Sequence, residues 1–453
     1  MGGFWYARGR KPVVVGVQKP RRKLSPLSER TTAPMPPETE PPAVVPIPRD
    51  ASRIPDAVAA LRYRDFRLLL LGLFLALSGW WMMIVAQGWL VLELTDSASM
   101  VALVSATLSV PFLFLGPFAG VAADRLYRKH LLIATRSFVA AVMLLEGFLI
   151  LAGWIEVWHM LVLGFLAGCA FAMDIPARQS LIPDTVPEST VANAVAINVS
   201  VFSITTIAGP LVGAVLLAAV GAMGCFMANG IGNIALAGAI AAMHIPRRQR
   251  TAQFDLKEEF VGGLQYVRQT SILILLLSTA LVVTLAGRSW QQLAPVFVRD
   301  VFGAGETALG WLYTAAGVGA VGGALLLLSL SHVPRRAPIY LGALIVSFLA
   351  VIGFAWSPSL AIAAAFVLVA GFGLQVSEAT AQTVILVETP EAVRGRVMSL
   401  WSLLWGLQPL GTLVAGIVAD LANPHIAIGG GAVLALFALA ALFGMQHRTL
   451  AAF

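Results

Sequence analysis

The run GPFAGVAADRLYRKHLLIATR, residues 116–136, crowds Asp124, Arg125, Arg128, Lys129 and His130 between two apolar stretches. Basic groups in such a gap serve as membrane-topology anchors, but an acidic side chain contributes little to orientation. Asp124 is therefore expected in an ion-pair network with its cationic neighbours, extended by Arg136. Arg288 lies deep in another apolar stretch, TLAGRSWQQLAPVF, beside Gln291 and Gln292. A charge inside a span is costly, so it marks either a substrate- or proton-linked position or a buried ion pair; both stay open for Arg288. Asp174 and Glu378 stand at nearly matching places near the ends of two apolar runs, where gating, capping and proton coupling are the alternatives. Glu93 reads as a solvated end group and Glu146 as an acid that snorkels or pairs internally.

Amide and aromatic side chains could shape a pocket around these charges: Gln87 with Trp80, Trp81 and Trp89, then Asn198, then Trp401, Trp405 and Gln408. Trp401 and Trp405 are four residues apart and share one helix face. An apolar, aromatic cavity with a few polar anchors suits an amphipathic organic molecule better than a sugar or an inorganic ion. Trp154 and Trp158 read instead as interfacial anchors. Cys169 and Cys225 both lie inside apolar runs, so neither a disulfide nor a metal site is expected. No histidine–carboxylate cluster or nucleophile constellation stands out, and G-x-x-x-x-G-K-S/T is absent. An enzyme is not expected, no cofactor is implied, and any energy source would be an ion gradient, most simply protons.

The elements that must position these groups are membrane spans. Of 453 residues 58% are hydrophobic and 12% charged, about half the charge of a soluble domain, and the mean hydropathy is +0.84. The apolar runs predict twelve helices, near 68–92, 99–123, 131–153, 157–176, 193–218, 222–243, 271–297, 307–330, 337–356, 359–385, 397–420 and 426–445. Each is long enough to cross a bilayer core of about 30 Å. The net charge of +7 is read as topology signal rather than as a nucleic-acid footprint. Arg125, Arg128, Lys129, Arg178, Arg247, Arg248, Arg250, Lys257, Arg268, Arg335, Arg336, Arg394 and Arg396 fall in one set of loops, and the opposite loops offer little beyond Arg299. Both termini are thus expected in the cytoplasm of a multi-pass protein of the plasma, or inner, membrane.

Residues 1–60 are basic and proline-rich and read as a disordered cytoplasmic tail that could touch anionic lipid; Met35 is an alternative start. The remainder divides into bundles at 61–243 and 271–445, a linker at 244–270, and a short tail at 446–453. The bundles are repeats. A shift of about 200 residues lays Gly116 and Gly120 over Gly319 and Gly323, ARQSLIPDTVPE over TAQTVILVETPE, and Gly213 over Gly416. Six helices repeated in parallel is a two-bundle transporter architecture with its site between the halves, near the bilayer midplane.

Gly120-x-x-x-Asp124-Arg125-x-x-Arg128-Lys129 resembles the helix 2–3 signature of the major facilitator superfamily. The resemblance implies that Asp124 braces the two bundles on the cytoplasmic side against the N-terminal end of helix 11, near Arg394 and Arg396, and lets go as the protein opens inward. Tyr127 stands where that family often has glycine, and Leu327 stands at the aspartate's place in the second half. TIAGPLVGA, with Gly209, Pro210 and Gly213, resembles the family's antiporter-type Gly-Pro-x-x-Gly motif, with Thr205 in place of a further glycine. LRYRDFRLLLLG, WLVLELTDS, DIPARQSLIPDTVP and ETPEAVRGRVMSL are similar to the enterobactin-exporter-like, siderophore and drug efflux branch. What this implies is an all-α, twelve-helix monomer that exports a small amphipathic molecule against protons by alternating access. Uptake or facilitated diffusion by the same fold, and a non-transporting membrane receptor or assembly factor, are the alternatives.

Overall fold

The computed structural model describes residues 56–125, 127–179, 181–245, 256–330 and 336–446; side chains at 56–57, 116–125, 175–176, 179, 256–261, 391–392 and 405 lie outside that description. Among the described residues, twelve helices are long and apolar enough to cross a membrane. They are α1 (Arg64–Thr95), α2 (Ala98–Arg125), α3 (Arg128–Leu151), α4 (Val157–Gln179), α5 (Val191–Val220) and α6 (Ala222–Ala242). The second half carries α7 (Ser271–Val301), α8 (Glu306–Ser329), α9 (Ala337–Ala355), α10 (Leu360–Glu388), α11 (Glu391–Leu421) and α12 (Ile426–Met445). These match the runs expected from hydropathy, with most ends lying a few residues further out. The 244–270 linker contains an additional helix, Leu256–Gln269, which the sequence reading left as a loop.

Backbone chemistry explains the ends. With no water at membrane depth, each span must close its own hydrogen bonds, which helices do. The chain then turns sharply where α1 meets α2: Asp96 takes a left-handed conformation, φ 51°, and its amide donates to the Leu92 carbonyl. Aspartate tolerates that region better than most non-glycine residues. Gly221, at φ 79°, makes the corresponding break between α5 and α6.

The packing repeats. In the first half α1 lies against α5 and α6, α2 against α4, and α3 against α4 and α6; α7 lies against α11 and α12, α8 against α10, and α9 against α10 and α12. Each of these pairs of the first half therefore recurs six helices later, as the internal sequence repeat requires. Two long seams join the halves, α2 with α11 and α5 with α8. Within the second half α8 and α10 approach so closely at Gly319 that a Cβ there would strike the Leu368 carbonyl oxygen. Large apolar side chains such as Leu71, Phe114, Phe148 and Val387 point outward, as a lipid-facing surface demands. Trp154, Trp158, Trp311 and Trp356 are more than half exposed near helix ends at the α1–α2 side, consistent with an interfacial girdle.

Candidate functional site

The helix α7 is interrupted where it matters. Residues Val283–Gly287 form a π-helical turn, and Arg288 follows at φ −106°, ψ −8°, before helix resumes at Ser289. Such turns occur often at functional sites because they redirect one side chain without ending the helix. Arg288 pairs with and donates to Glu378 of α10, each side chain remaining about one-fifth exposed. Glu378 lies ten residues before the end of α10, about 15 Å deep at the helical rise. It is therefore well inside its span and not at the helix end where the sequence reading put it.

The pair sits in a pocket with Thr284 of α7, Tyr340 of α9, Ser377 of α10, and Trp401 and Gln408 of α11. Tyr340 and the Thr279 hydroxyl share a 2.5 Å hydrogen bond, which fixes that wall. Trp401 is buried, and its indole N–H has no hydrogen-bond partner among the described residues. The cavity volume is about 30 Å³, in a pocket that is partly open.

Other expected site residues lie elsewhere. Asp174 is buried in the first half, accepting from Arg136 Nε at 2.7 Å and pairing with that guanidinium a second time. Arg178 approaches the same carboxylate at 3.4 Å. Arg136 also donates to Asn233 at 3.0 Å, Asn233 donates to Asn229, and the guanidinium lies 5.6 Å from the Phe171 ring centre. Arg136 thus joins Asp174, and the side chain of Asp124 lies outside the described residues. Gln87 is buried on α1, Asn198 half-buried on α5 and Gln291 half-buried on α7, where its carbonyl accepts from Tyr313; none of the three lines the Arg288 pocket. The side chain of Trp405 lies outside the described residues.

Among the gate candidates, the side chains of Gly120, Asp124 and Arg125 also lie outside the described residues, while their backbone continues α2. Arg128 pairs with Asp184 at 3.4 Å and Lys129 donates to the Met243 carbonyl at 2.7 Å, so both tie loops of the first half. Arg394 is exposed, and Arg396 packs over Gly262 and Gly263 of the linker helix. A Cβ on Gly209 or Gly213 would fall 2.6 Å from Trp81 Cβ or 2.7 Å from Met82 Cα, so these glycines let α5 lie against α1. The Pro210 carbonyl faces Gly310 of α8.

Three charged residues absent from the sequence-based set tie the halves together at the α1–α2 end. Arg299 of α7 pairs with Asp96 and donates to the Leu92 carbonyl at 2.9 Å. Asp420 of α11 accepts from the Ala98 amide at 2.7 Å, the Ser99 amide at 2.9 Å and the Ser97 hydroxyl at 2.7 Å. Asp420 carried a legible signal: a carboxylate near the C-terminus of its own helix opposes that helix's dipole and must answer something else.

A family model described as transmembrane secretion effector matches residues 56–452. The multidrug efflux pump Tap of Mycolicibacterium fortuitum is 28% identical over 376 residues, covering 79% of this chain and 90% of that protein. The staphyloferrin A transporter of Staphylococcus aureus (strain NCTC 8325 / PS 47) is 25% identical, covering 77% and 87% respectively. In structure the chain is similar to the nucleoside transporter NupG, with a TM-score of 0.69 at 13% identity, covering 84% of this chain and 98% of that one. It is also similar to a bacterial homologue of the iron transporter ferroportin in an inward-facing state, with a TM-score of 0.63 at 17% identity, covering 84% and 98%.

Proposed function

The chain belongs to the transmembrane secretion effector family of the major facilitator superfamily, and we propose that it exports a small amphipathic organic molecule in exchange for protons by alternating access. The observation that carries this reading is the Arg288–Glu378 pair, a breakable charge pair within a span at a helix interruption, facing an aromatic pocket. A proton on Glu378 cancels the attraction that holds the two groups together across the pocket. Protonation then loosens the pocket, and cargo binding and proton binding are linked through one contact. The buried indole N–H of Trp401 is a ready donor to cargo. Gln87, Asn198 and Gln291 would contact cargo only as the halves rearrange, whereas Asp174 acts as a structural partner of Arg136.

The rearranging bodies are the bundles at 61–243 and 271–445, joined by the 244–270 linker. The basic loops around Arg128, Arg178, Arg336 and Arg394 face the cytoplasm, with both termini, in the plasma membrane. The α1–α2 end is then the outer end, and Asp96–Arg299 and Asp420 hold it closed in this state. In the opposite state Asp124, with Arg125 and Arg128 around it, closes the inner end against the start of α11. The working unit is a monomer. Siderophores and lipophilic drugs are the cargo classes to try first, since the relatives include a multidrug pump and a staphyloferrin A transporter.

The test is accumulation of siderophores, lipophilic cations and antibiotics in cells with and without the gene, each with and without a protonophore. Gene-dependent exclusion of a compound that collapses with the proton gradient, and that is lost in Glu378→Gln at equal abundance, is the expected result. Gene-dependent accumulation would assign uptake instead.

A further inference from the structure

The two seams between the halves differ in chemistry. Along α5–α8 the contact is made by small residues: Gly310 against Pro210 and Ala214, Gly317 against the Thr206 carbonyl. Along α2–α11 Gly416 seats against Ala98 and Ser99, and immediately beyond it the Asp420 carboxylate takes the first amides of α2. Those amides have no acceptor within their own helix, as at any helix start. The residue preceding the helix supplies the ordinary cap, Ser97 Oγ accepting from the Met100 amide at 3.3 Å, while a helix of the other half takes the two amides before it and accepts from the Ser97 hydroxyl as well. The repeat register that lays Gly213 over Gly416 puts Leu217 at the place of Asp420, and the register that lays Gly120 over Gly323 puts Leu327 at the place of Asp124. Both acids thus lie on the α2–α11 pair, one near the C-terminal end of each antiparallel helix, and leucine holds both equivalent positions on α5–α8.

From this we infer that Asp420 is a gate-positioning residue, a trans cap that latches the α1–α2 end of the α2–α11 seam and must release α2 for that end to open. The inference rests on the alternating-access reading. The α5–α8 seam, with leucine at the places equivalent to Asp420 and Asp124, acts as the pivot. Asp96–Arg299 assists, but Asp96 is 84% exposed, and exposed ion pairs hold weakly. The amide cap is the stronger element because its acceptor is aimed at fixed backbone donors.

The test is a distance measurement between spin labels on Met100→Cys of α2 and Leu421→Cys of α11, both exposed, in full-length protein lacking Cys169 and Cys225, in lipid. The parent should give a short and a long distance. Asp420→Asn should raise the long population relative to the short about fivefold, the scale of losing a helix cap, while Arg299→Gln shifts it less. A second variant separates latching from helix stability: Ser97→Asp with Asp420→Ser strengthens the cap that α2 has from its own chain but leaves the seam untied, so the long distance should still dominate. Two parental populations left unchanged by both variants would overturn the latch. A single parental distance, insensitive to an imposed proton gradient here and at a label pair on the opposite end, would overturn alternating access itself, and the latch with it.

Discussion

The charged residues that pair inside the spans differ in what their partners allow, whereas Glu146, buried on α3, has no hydrogen-bond or ion-pair partner among the described residues. Arg136 and Asp174 are both buried and doubly bonded to each other. Arg136→Ala leaves the buried Asp174 carboxylate with only the longer Arg178 contact at 3.4 Å and should destabilise the protein by about 3 kcal/mol, measured by unfolding in detergent. Replacing all three charges by apolar residues, Arg136→Met, Asp174→Leu and Arg178→Met, should recover most of that loss, because no charge is then left unpaired. Because this network lies within one half, transport per folded molecule should survive the triple change. Arg288 and Glu378 are the contrary case, partly exposed at a pocket: Glu378→Gln should leave abundance and unfolding nearly unchanged yet abolish the dependence of transport on the proton gradient. The sequence made these residues visible, since an ionisable group in an apolar run is conspicuous. Their partners were not legible, because 38 and 90 residues separate the pairs and one carboxylate could answer any of several cations. Depth was misjudged for Glu378 because hydropathy blurs where a long helix such as α10 ends.

Among the helices, the small residues decide which pairs can touch. Gly319 allows the α8–α10 crossing, where a Cβ would collide with the Leu368 carbonyl, whereas Gly342 of α9 has open space around it. Gly319→Ala should lower the unfolding temperature by several degrees, while Gly342→Ala should be neutral or slightly stabilising through helix propensity. The same comparison explains what the sequence could say of α5. Gly209 and Gly213 stand out in the sequence, but glycine only permits a close neighbour without naming it, and the neighbour is α1. The linker helix escaped notice because LKEEFVGGLQYVRQ carries paired glycines and many charges, a pattern that reads as loop. It is held from outside, where Arg396 lies over those glycines, and no local propensity announces that contact. At α2 the acid is legible from sequence alone, and Asp124→Asn is expected to preserve insertion, since Arg128 and Lys129 keep their own contacts. It should impair turnover in a transport assay at matched abundance.

For the molecule as a whole, orientation and conformational state can be fixed together. The fold was legible because twelve apolar runs, their repeat and the alternation of basic loops all depend on short-range composition, which a bilayer converts directly into topology. The same alternation predicts that Ser359, exposed before α10, faces outside and that Glu188, exposed before α5, faces the cytoplasm. With the native cysteines replaced, Ser359→Cys should react with a membrane-impermeant maleimide in intact cells, and Glu188→Cys only after permeabilisation. Reversed labelling would invert the molecule and make the Asp420 end cytoplasmic. Gln408→Cys then reads the state, because it lines the Arg288 pocket. With the outer end latched, it should resist the external reagent in the parent and become reactive in Asp420→Asn. An external reaction rate equal in both would mean that the latched end does not control access to the pocket, whichever way the molecule faces.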